Sequence, residues 1–390
     1  MIANGDQQQK ELAIVKPLNT FNLDLIKLLN KQDSSKNAFY SPTSIAIAFG
    51  MLNAGANGKT RDELLRTFKL EGLNNVDDAF AKLMDGLRSD NRPPTNNSFE
   101  LNLANRILVD ESQKVTDEYM NKVRGLYEAS VDNVNFATDN VKITDDVNAW
   151  VKQQTKGKID SVFGEPLPST TKMVLANAIY FKGTWMKQFK TRSTKKNTFY
   201  GNANQEVDFM FQKDRIQSTK YGGNSRLVSL PYDGSASMMI LLPDEGVTLD
   251  QVITNLNSDE FEKAISNFEF VQRPETELYL PKFKMETTYD LKPIMSSLGA
   301  SSMFSDNDAD FSGITGRIEL KVDKAIHKAV VEVNEEGTVA AAVTAISMTR
   351  MMAVMEPPRP LIIRVNRPFL FVIRDNVTGV NLFTGKVTQL

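Results

Sequence analysis

The sequence predicts an α+β fold, and three observations carry that prediction. Helical patterns dominate the first half of the 390 residues, whereas short strands separated by turns dominate the second half. Apolar residues make up 41% of the chain and include 22 Phe, so a sizeable core can be filled. No Pro/Gly/Ser-rich linker divides the chain, because the nearest stretch, SDNRPPTNNS at 89–98, is short and indicates a surface loop. We therefore expect residues 1–390 to form one domain.

Helix signals recur through the first half of the chain. Apolar residues from Phe21 to Leu29 follow helical spacing, with a cap at Asn19 or Thr20. The Ser-Pro pair at 41–42 is typical of a helix start because Pro is tolerated in the first turn. Thr60 begins a capping-box pattern, which predicts another start. Further helices are predicted over 76–87, 116–127 and 144–155.

Strand signals begin with an alternating segment at 99–109. The segment from Thr171 to Trp185 is rich in apolar and β-branched residues, as a buried central strand should be. Short strands separated by turns are expected within the remaining ranges, 227–242, 276–284, 318–333, 361–365, 369–374 and 380–387.

Composition excludes several kinds of site. The chain has no cysteine, which rules out disulfides, thiol nucleophiles and thiolate ligands, and one histidine leaves little room for a metal cluster. The 46 basic and 48 acidic residues give a net charge of −2, so no global field favours nucleic acid or a membrane surface. The longest apolar runs are about five residues, far short of the ~18 needed to span a bilayer. We expect no metal, nucleic acid or membrane partner.

The most informative segment is VEVNEEGTVAAAVTAISMTRMM at 331–352, in which Gly337 precedes a run of small side chains. In a strand, alternate residues from Thr338 to Met348 would share one face, which starts small and grows larger toward the tip. An Ala-rich helix is the alternative, because Ala has the best helix propensity. Gly337 and the β-branched residues weaken the helical interpretation. Such a segment could be exposed in a loop and also enter the interior of a sheet.

EVNEEGTVAAAVTA resembles the hinge and proximal reactive loop of the serpins, protease inhibitors that act by loop insertion. Three other segments, at 37–65, 147–159 and 365–390, are similar to serpin segments in the same order, although Asn366-Arg367 and Thr384 depart from the usual ending. The resemblance covers roughly Thr20 to Leu390. It implies the serpin fold, with a large mixed central β-sheet, further sheets, about eight to nine helices and an exposed reactive loop at 335–360. Residues 1–19 are then expected to be a flexible extension.

The resemblance implies a suicide inhibitor of serine proteases and not an enzyme. The implied partner is a target serine protease, held in a covalent acyl complex by a monomer that is capable of loop-sheet polymerisation. A charged or Pro residue at Thr338 or Ala340 would have indicated a non-inhibitory serpin, and a carrier or binding protein is the alternative function. The hinge assigned by resemblance comprises Glu335, Glu336, Gly337, Thr338, Ala340, Ala341 and Ala342.

Counting along the loop from Glu335 predicts the reactive bond at Met351-Met352. Met suits the pockets of elastase, cathepsin G and chymotrypsin-like enzymes. A register shift of one residue gives Arg350-Met351, which suits trypsin-like enzymes. The methionines at 348, 351, 352 and 355 predict a loop that is sensitive to oxidation.

Two polar clusters are also assigned by resemblance. The shutter, a buried hydrogen-bonded group beneath the central strands, comprises Ser41, Ser44, Asn177 and His327. The breach, where the loop first inserts, comprises Trp185, Lys282 and Glu335, with an exposed Lys282–Glu335 pair. From the residues alone, His327 could be a general base, a metal ligand, a buried switch or a satisfied core residue. No G-x-S-x-G motif supports a hydrolase triad.

Surface signals are weaker. Asn96 and Asn376 match the N-glycosylation pattern. One run of basic residues comprises Lys187, Lys190, Arg192, Lys195 and Lys196. It favours a solvated loop over a site for sulfated glycans. We expect no required cofactor. Three aspartates at 306, 308 and 310 imitate calcium-loop spacing but lack the required Gly and Glu. The polar N-terminus has no hydrophobic signal core and resembles a mature secreted chain, so secretion is expected, with the cytoplasm as the alternative.

Overall fold

The computed structural model describes residues 12–88, 100–271, 273–338 and 359–390. The helices in these ranges are α1 Val15–Gln32, α2 Pro42–Asn53, α3 Gly58–Thr67, α4 Val76–Leu87, α5 Asp117–Tyr127, α6 Phe136–Gln154, α7 Leu249–Thr254, α8 Ser258–Ser266, α9 Leu291–Ser297 and α10 Ser312–Thr315. The strands are β1 Ala38–Tyr40, β2 Glu100–Asp110, β3 Ser130–Val134, β4 Met173–Thr184, β5 Lys195–Tyr200, β6 Asn204–Arg215, β7 Gln217–Tyr221, β8 Ser225–Pro231, β9 Ala236–Pro243, β10 Glu275–Pro281, β11 Phe283–Asp290, β12 Lys324–Val333, β13 Gly337–Thr338, β14 Leu361–Arg364, β15 Phe369–Asp375 and β16 Asn381–Val387.

The strands form three sheets. The main sheet has the order β11-β12-β4-β2-β3, with the short β13 also paired to β4. It is mixed, because β12 runs parallel to β4 whereas β2 and β13 run antiparallel to it. The second sheet, β1-β16-β15-β9-β8-β7, is antiparallel throughout. The third sheet has the order β14-β10-β6-β5. The α+β class is therefore confirmed, and the described ranges hold ten helices, of which α10 is a single four-residue turn.

The main sheet is buried on both faces at its central strand β4. On β4, Leu175, Ile179 and Phe181 belong to the large core that also contains the second sheet and α2. Val174, Ala176 and Ala178 alternate with them and belong to a smaller core under α6. This alternation follows from the two-residue period of a strand, and it explains why β4 has a nearly continuous apolar sequence.

The first helix begins earlier than the sequence indicates. α1 starts at Val15, and Val15, Leu18 and Asn19 are buried. The flexible extension predicted for 1–19 is therefore wrong over 15–19. The Asn19 side chain is not a helix cap: its Nδ2 donates to the Gly379 carbonyl oxygen at 2.9 Å, and its Oδ1 accepts from the Asn381 backbone N–H.

Two other predicted helix starts are also wrong. α3 begins at Gly58, because the side chains of the Thr60 capping box make tertiary contacts instead. The Thr60 hydroxyl accepts from the Asp310 backbone N–H, while the Glu63 carboxylate accepts from the N–H groups of residues 301 and 302. α6 begins at Phe136 rather than Thr144, with Asn135 as its cap. In the described part of the chain, no helix combines the length and the apolarity that crossing a membrane would require.

Candidate functional site

Ser41, Ser44, Asn177 and His327 lie in one hydrogen-bonded network beneath the main sheet. Asn177 on β4 and His327 on β12 are opposite each other in the parallel pair, and His327 Nδ1 contacts Asn177 Oδ1. The Asn177 Nδ2 donates to the Ser44 hydroxyl at 2.6 Å. The Ser41 hydroxyl caps α2 by accepting from the Ser44 N–H at 3.0 Å. The network therefore joins both central strands to the start of α2.

The shutter fixes the protonation of His327. Its Nε2 accepts from the Ser41 backbone N–H at 3.0 Å, so the proton of the neutral ring is on Nδ1 and is donated to Asn177. Burial lowers the pKa of His327 from 6.5 to about 3. Tyr289 lies opposite on β11, and burial raises its pKa to about 12. Because both groups are neutral at pH 7, His327 acts here as a satisfied core residue.

One member of the network was missed by the sequence analysis. Asn105 lies opposite Asn177 on β2, is buried, and its Oδ1 accepts from Asn177 Nδ2 at 2.5 Å. The shutter thus extends across three adjacent strands. A polar residue at a core-facing position of a predicted strand was the available signal, because buried polar groups need partners.

The chain reverses direction at the upper end of β12. Asn334 and Gly337 exchange backbone hydrogen bonds of 3.0 and 3.2 Å around a two-residue turn. Gly337 and Thr338 then pair with Thr184 and Gly183 of β4. The last pair between β12 and β4 is Val330–Tyr180, so the two strands have separated at this end and the hinge lies against β4.

The backbone conformation and close packing at position 337 require glycine. Its φ is +133°, in a region that L side chains rarely adopt. A Cβ at this position would lie 2.1 Å from the Gly183 carbonyl oxygen and 2.7 Å from the Trp185 nitrogen. The tight approach of the hinge to β4 therefore depends on glycine.

Trp185, Lys282 and Glu335 meet beside this turn. The Trp185 indole N–H donates to the Asn334 carbonyl oxygen at 2.9 Å, and its ring stacks on Tyr232 with centroids 4.4 Å apart. The Lys282 Nζ lies 2.9 Å from a Glu335 carboxylate oxygen. The Thr194 hydroxyl donates to the other oxygen at 2.7 Å. The predicted breach residues therefore contact the hinge.

The expectation of an exposed ion pair is wrong, because the Glu335 side chain is only 9% exposed and the Lys282 side chain is 36% exposed. Burial raises the pKa of Glu335, but the Lys282 and Thr194 contacts outweigh burial and hold that pKa below its usual value. The Glu335 carbonyl oxygen also accepts from the Phe189 N–H at 2.8 Å. Glu335 is therefore a buried anchor of the turn rather than an exposed loop residue.

A family model described as Serpin (serine protease inhibitor) matches residues 16–390. The chain belongs to the serpin family. Iripin-3 of Ixodes ricinus is 37% identical over 380 residues, which cover 95% of this chain and 93% of that protein. Leukocyte elastase inhibitor of Xenopus tropicalis is 35% identical over 379 residues, covering 95% and 97%.

Two solved structures match this serpin over nearly its whole length. Human glycosylated kallistatin matches with a TM-score of 0.85 and 29% identity, covering 96% of this chain and 97% of that chain. Human thyroxine-binding globulin complexed with thyroxine matches with a TM-score of 0.84 and 29% identity, covering 97% and 99%. The serpin fold implied by the resemblance is confirmed.

Other predicted site residues lie outside the described residues. These are the hinge positions Ala340, Ala341 and Ala342, the reactive-bond candidates Arg350, Met351 and Met352, and Asn96 of the first glycosylation pattern. Asn376 is described: it is exposed, and its Nδ2 donates to the Ser237 hydroxyl at 2.9 Å.

The acidic and basic runs are both at the surface of this serpin. Within the basic run, Lys187 and Lys196 pair with Asp214 and Asp208, at 3.0 and 3.2 Å. Asp306 pairs with Lys321 at 2.6 Å. Among the residues that the structure describes, no group of three His, Cys, Asp or Glu side chains could hold a metal ion.

We expect acid to destabilise this serpin through His327. Between about pH 6.5 and 3 the unfolded chain binds a proton at this residue whereas the folded chain does not, so stability falls as the pH falls, by about 1.4 kcal/mol per pH unit. His327→Gln, which stays neutral, should flatten this slope. The free energy of urea unfolding from pH 7.5 to 5 measures it cleanly because the chain has one histidine. Equal slopes in the two proteins would contradict the assignment.

Reversing the charge at Glu335 should loosen the breach. Glu335→Lys places an ammonium beside Lys282, and we expect a loss of about 1–2 kcal/mol in the free energy of unfolding after allowing for the exposure of Lys282. Polymerisation at raised temperature, measured by native gel, should be faster. Glu335→Gln is the matched control because it can keep the Thr194 contact, and its effect should be smaller. A Glu335→Lys protein that polymerised no faster than the wild type would show that the pair does not guard the hinge.

Proposed function

We propose that this serpin is a suicide-substrate inhibitor of serine proteases that traps its target by inserting the cleaved loop into the main sheet. The observation that carries the proposal is the position of the hinge. Gly337 and Thr338 are already paired with β4 at the end of the sheet where β4 and β12 have separated. An inserting strand would continue from this point.

The existing register defines where such a strand would go. Each further step along the loop would move one step back along β4, so residue 344 would face Asn177 and residue 348 would face Met173, the first residue of β4. Directly opposed residues of an antiparallel pair share a face. Thr338 and the alternate residues after it would therefore share the core side of the sheet with Leu175, Ile179 and Phe181.

The trap follows from the length of that strand. The protease nucleophile attacks the scissile carbonyl and forms an acyl intermediate. About 14 residues entering at ~3.3 Å each would carry the attached protease ~46 Å and distort its active site before hydrolysis. The protein is consumed in the process, so it acts as an inhibitor and not as an enzyme.

For the target we propose an elastase-like, chymotrypsin-like or cathepsin G-like protease, with the reactive bond at Met351-Met352. A large apolar residue before the cleaved bond suits such enzymes, and the name of one relative, leukocyte elastase inhibitor, is in keeping with this class. The alternative is Arg350-Met351 and a trypsin-like target. The complex would be covalent, formed by a monomer, with loop-sheet polymerisation as the competing outcome when the breach opens.

The second candidate function is a non-inhibitory carrier. It is favoured by the similarity to human thyroxine-binding globulin, whose structure holds thyroxine. The two functions predict different effects of loop cleavage on thermal stability. An inhibitor gains thermal stability when the cleaved loop inserts, whereas a carrier that does not insert its loop gains none.

Secretion is our proposal for localisation, with the cytoplasm as the alternative. The exposed Asn376 is compatible with glycosylation in a secretory pathway. We propose no required cofactor. Acceleration by sulfated glycans at the basic run is the weaker alternative, because two of the five cations are paired with aspartates.

Incubation with pancreatic elastase and, separately, with trypsin tests the function and the register together. We expect an elastase complex that survives denaturing electrophoresis. Intact mass of the released C-terminal peptide should show a start at Met352; a start at Met351 after trypsin would support the alternative bond. Clean cleavage by both enzymes without any complex would contradict the inhibitory proposal for these two classes.

A charge at the hinge should convert the inhibitor into a substrate. Thr338→Arg would require a guanidinium to enter the core side of the sheet, which is costly without a partner. We expect the yield of covalent complex to fall at least about tenfold, and the rise in thermal unfolding midpoint that follows loop cleavage to shrink. Thr338→Ser, of similar size and polarity, is the control. A stable covalent complex at wild-type yield with Thr338→Arg would contradict insertion.

A further inference from the structure

A small cavity lies where the second and third sheets meet the segment that follows β4. Its volume is about 130 Å³. The inner lining is apolar and comes from Trp185, Phe189, Ile216 and Leu230, each of which is at most 5% exposed. The cavity therefore has an apolar floor that includes one of the two tryptophan side chains of the protein.

The walls of the cavity are fixed by hydrogen bonds between its parts. The Met186 backbone N–H donates to the Pro231 carbonyl oxygen at 3.0 Å, which joins the segment after β4 to the end of β8. The Gln217 Nε2 donates to the Phe268 carbonyl oxygen at 3.0 Å, which holds the turn before β10 against the start of β7. Because the fold already holds these walls, a ligand would not have to order them, and binding would avoid that cost.

Two arginines line the outer part of the cavity. Arg215, at the end of β6, and Arg273, just before β10, are both exposed. Glu275 lies opposite Arg215 in the pairing of β6 with β10, but its carboxylate pairs with Lys213 at 3.4 Å. Among the residues that the structure describes, no acidic side chain forms an ion pair with Arg215 or Arg273. The outer part of the cavity therefore carries two guanidinium groups that can take an anion.

The charge and the size of the cavity together define a class of ligand. Its lining holds three cations and one carboxylate, since Asp214 pairs with Lys187 at 3.0 Å, so the lining is positive although the whole chain has a net charge of −2. Guanidinium groups bind carboxylates through two parallel hydrogen bonds. An apolar cavity of about 150 Å³ holds one benzene ring. A cavity of about 130 Å³ with an apolar floor therefore suits a single aromatic ring.

We infer that this cavity is a binding site for a small aromatic carboxylate, with the ring on the apolar floor beside Trp185 and the carboxylate at Arg215 and Arg273. The inference goes beyond the proposed function and does not depend on it, because binding here requires neither cleavage nor insertion of the loop. A ligand with only the ring or only the charge would satisfy half of the site.

Fluorine NMR of the full chain labelled with fluorotryptophan tests the site directly. The protein has two tryptophans, so two signals are expected, and Trp150→Phe assigns them. The probes are benzoate, benzamide, which keeps the ring but has no charge, and acetate, which has the charge but no ring. We expect benzoate to shift the Trp185 signal with a Kd on the order of 1 mM and to leave the Trp150 signal in place. Benzamide and acetate should each bind at least about tenfold more weakly.

Substitutions separate the two parts of the site. Arg215→Met and Arg273→Met keep an apolar stem and remove the charge, and each should weaken benzoate binding at least about fivefold. Ser229→Leu puts a larger side chain into the cavity and should abolish binding with the arginines unchanged. Lys196→Met is the matched control, because Lys196 is an exposed cation of the same third sheet that does not line the cavity. Its Kd should stay within about twofold of the wild type.

Several outcomes would overturn the inference. Equal binding of benzoate and benzamide would show that the arginines do not recognise the anion. Equal shifts with acetate, or equal shifts of both tryptophan signals, would show a general effect of salt on the protein. A benzoate shift that does not saturate, or a Kd unchanged in both arginine variants, would also contradict the site. Should a variant not fold, the comparison of the three probes on the wild type decides the question by itself.

Discussion

The hydrogen bond between Asn177 and His327 is the interaction on which the rest of the main sheet depends. It joins β4 to β12 at the middle of their parallel pairing, in an interior where both side chains are fully buried. Each partner is satisfied by other groups, Asn177 by Ser44 and Asn105 and His327 by Ser41. A polar bond is specific in direction but can be exchanged for another of similar strength, whereas a packed apolar contact at this point would have to be broken outright. The seam, meaning the line along which β4 and β12 pair, is therefore held at its middle by a bond that can be exchanged for another.

Three kinds of interaction act along this seam: an ion pair, neutral hydrogen bonds and apolar burial. Each lies where the local exposure to water favours it. At the upper end, where the strands have parted, the buried Glu335 carboxylate anchors the turn through Lys282 and Thr194. In the middle the shutter supplies neutral hydrogen bonds, since an ion there would have no water. On the outer face, α6 and the segment that follows it, residues 159–167, add apolar cover over β2, β4 and β12. Under the proposed mechanism, all three interactions would have to break before β4 and β12 could separate along their length.

The sequence predicted the regular elements well where local signals and tertiary contacts agree. α4 matches its predicted bounds, and Ser41 caps α2 as its Ser-Pro pair indicates. Several of the wrong predictions lie where a side chain has a distant partner: Thr60 and Glu63 make contacts with residues about 240 positions away, and Asn19 with Gly379. The burial of Glu335 was missed for the same reason, because the Phe189 and Thr194 contacts come from a segment far away in sequence. The serpin resemblance assigned the shutter by position, but not Asn105, whose contact with Asn177 depends on the pairing of β2 with β4.

The composition of the loop fits the face of β4 that it would meet. Between Met173 and Phe181 the core-facing residues of β4 are apolar except for Asn177. If an inserted strand continued the register of Gly337 and Thr338, Thr344 would face Asn177, and Thr344 is the one polar residue among the alternate positions from Ala340 to Met348. A strand entering there would offer Asn177 a hydroxyl at the point where its bond to His327 would be lost. It would also place Ala340 and Ala342 against the C-terminal half of β4. The polar residue of the loop would then face the polar residue of β4, and the small residues would face apolar ones, as expected of a segment that enters the sheet under the proposed mechanism.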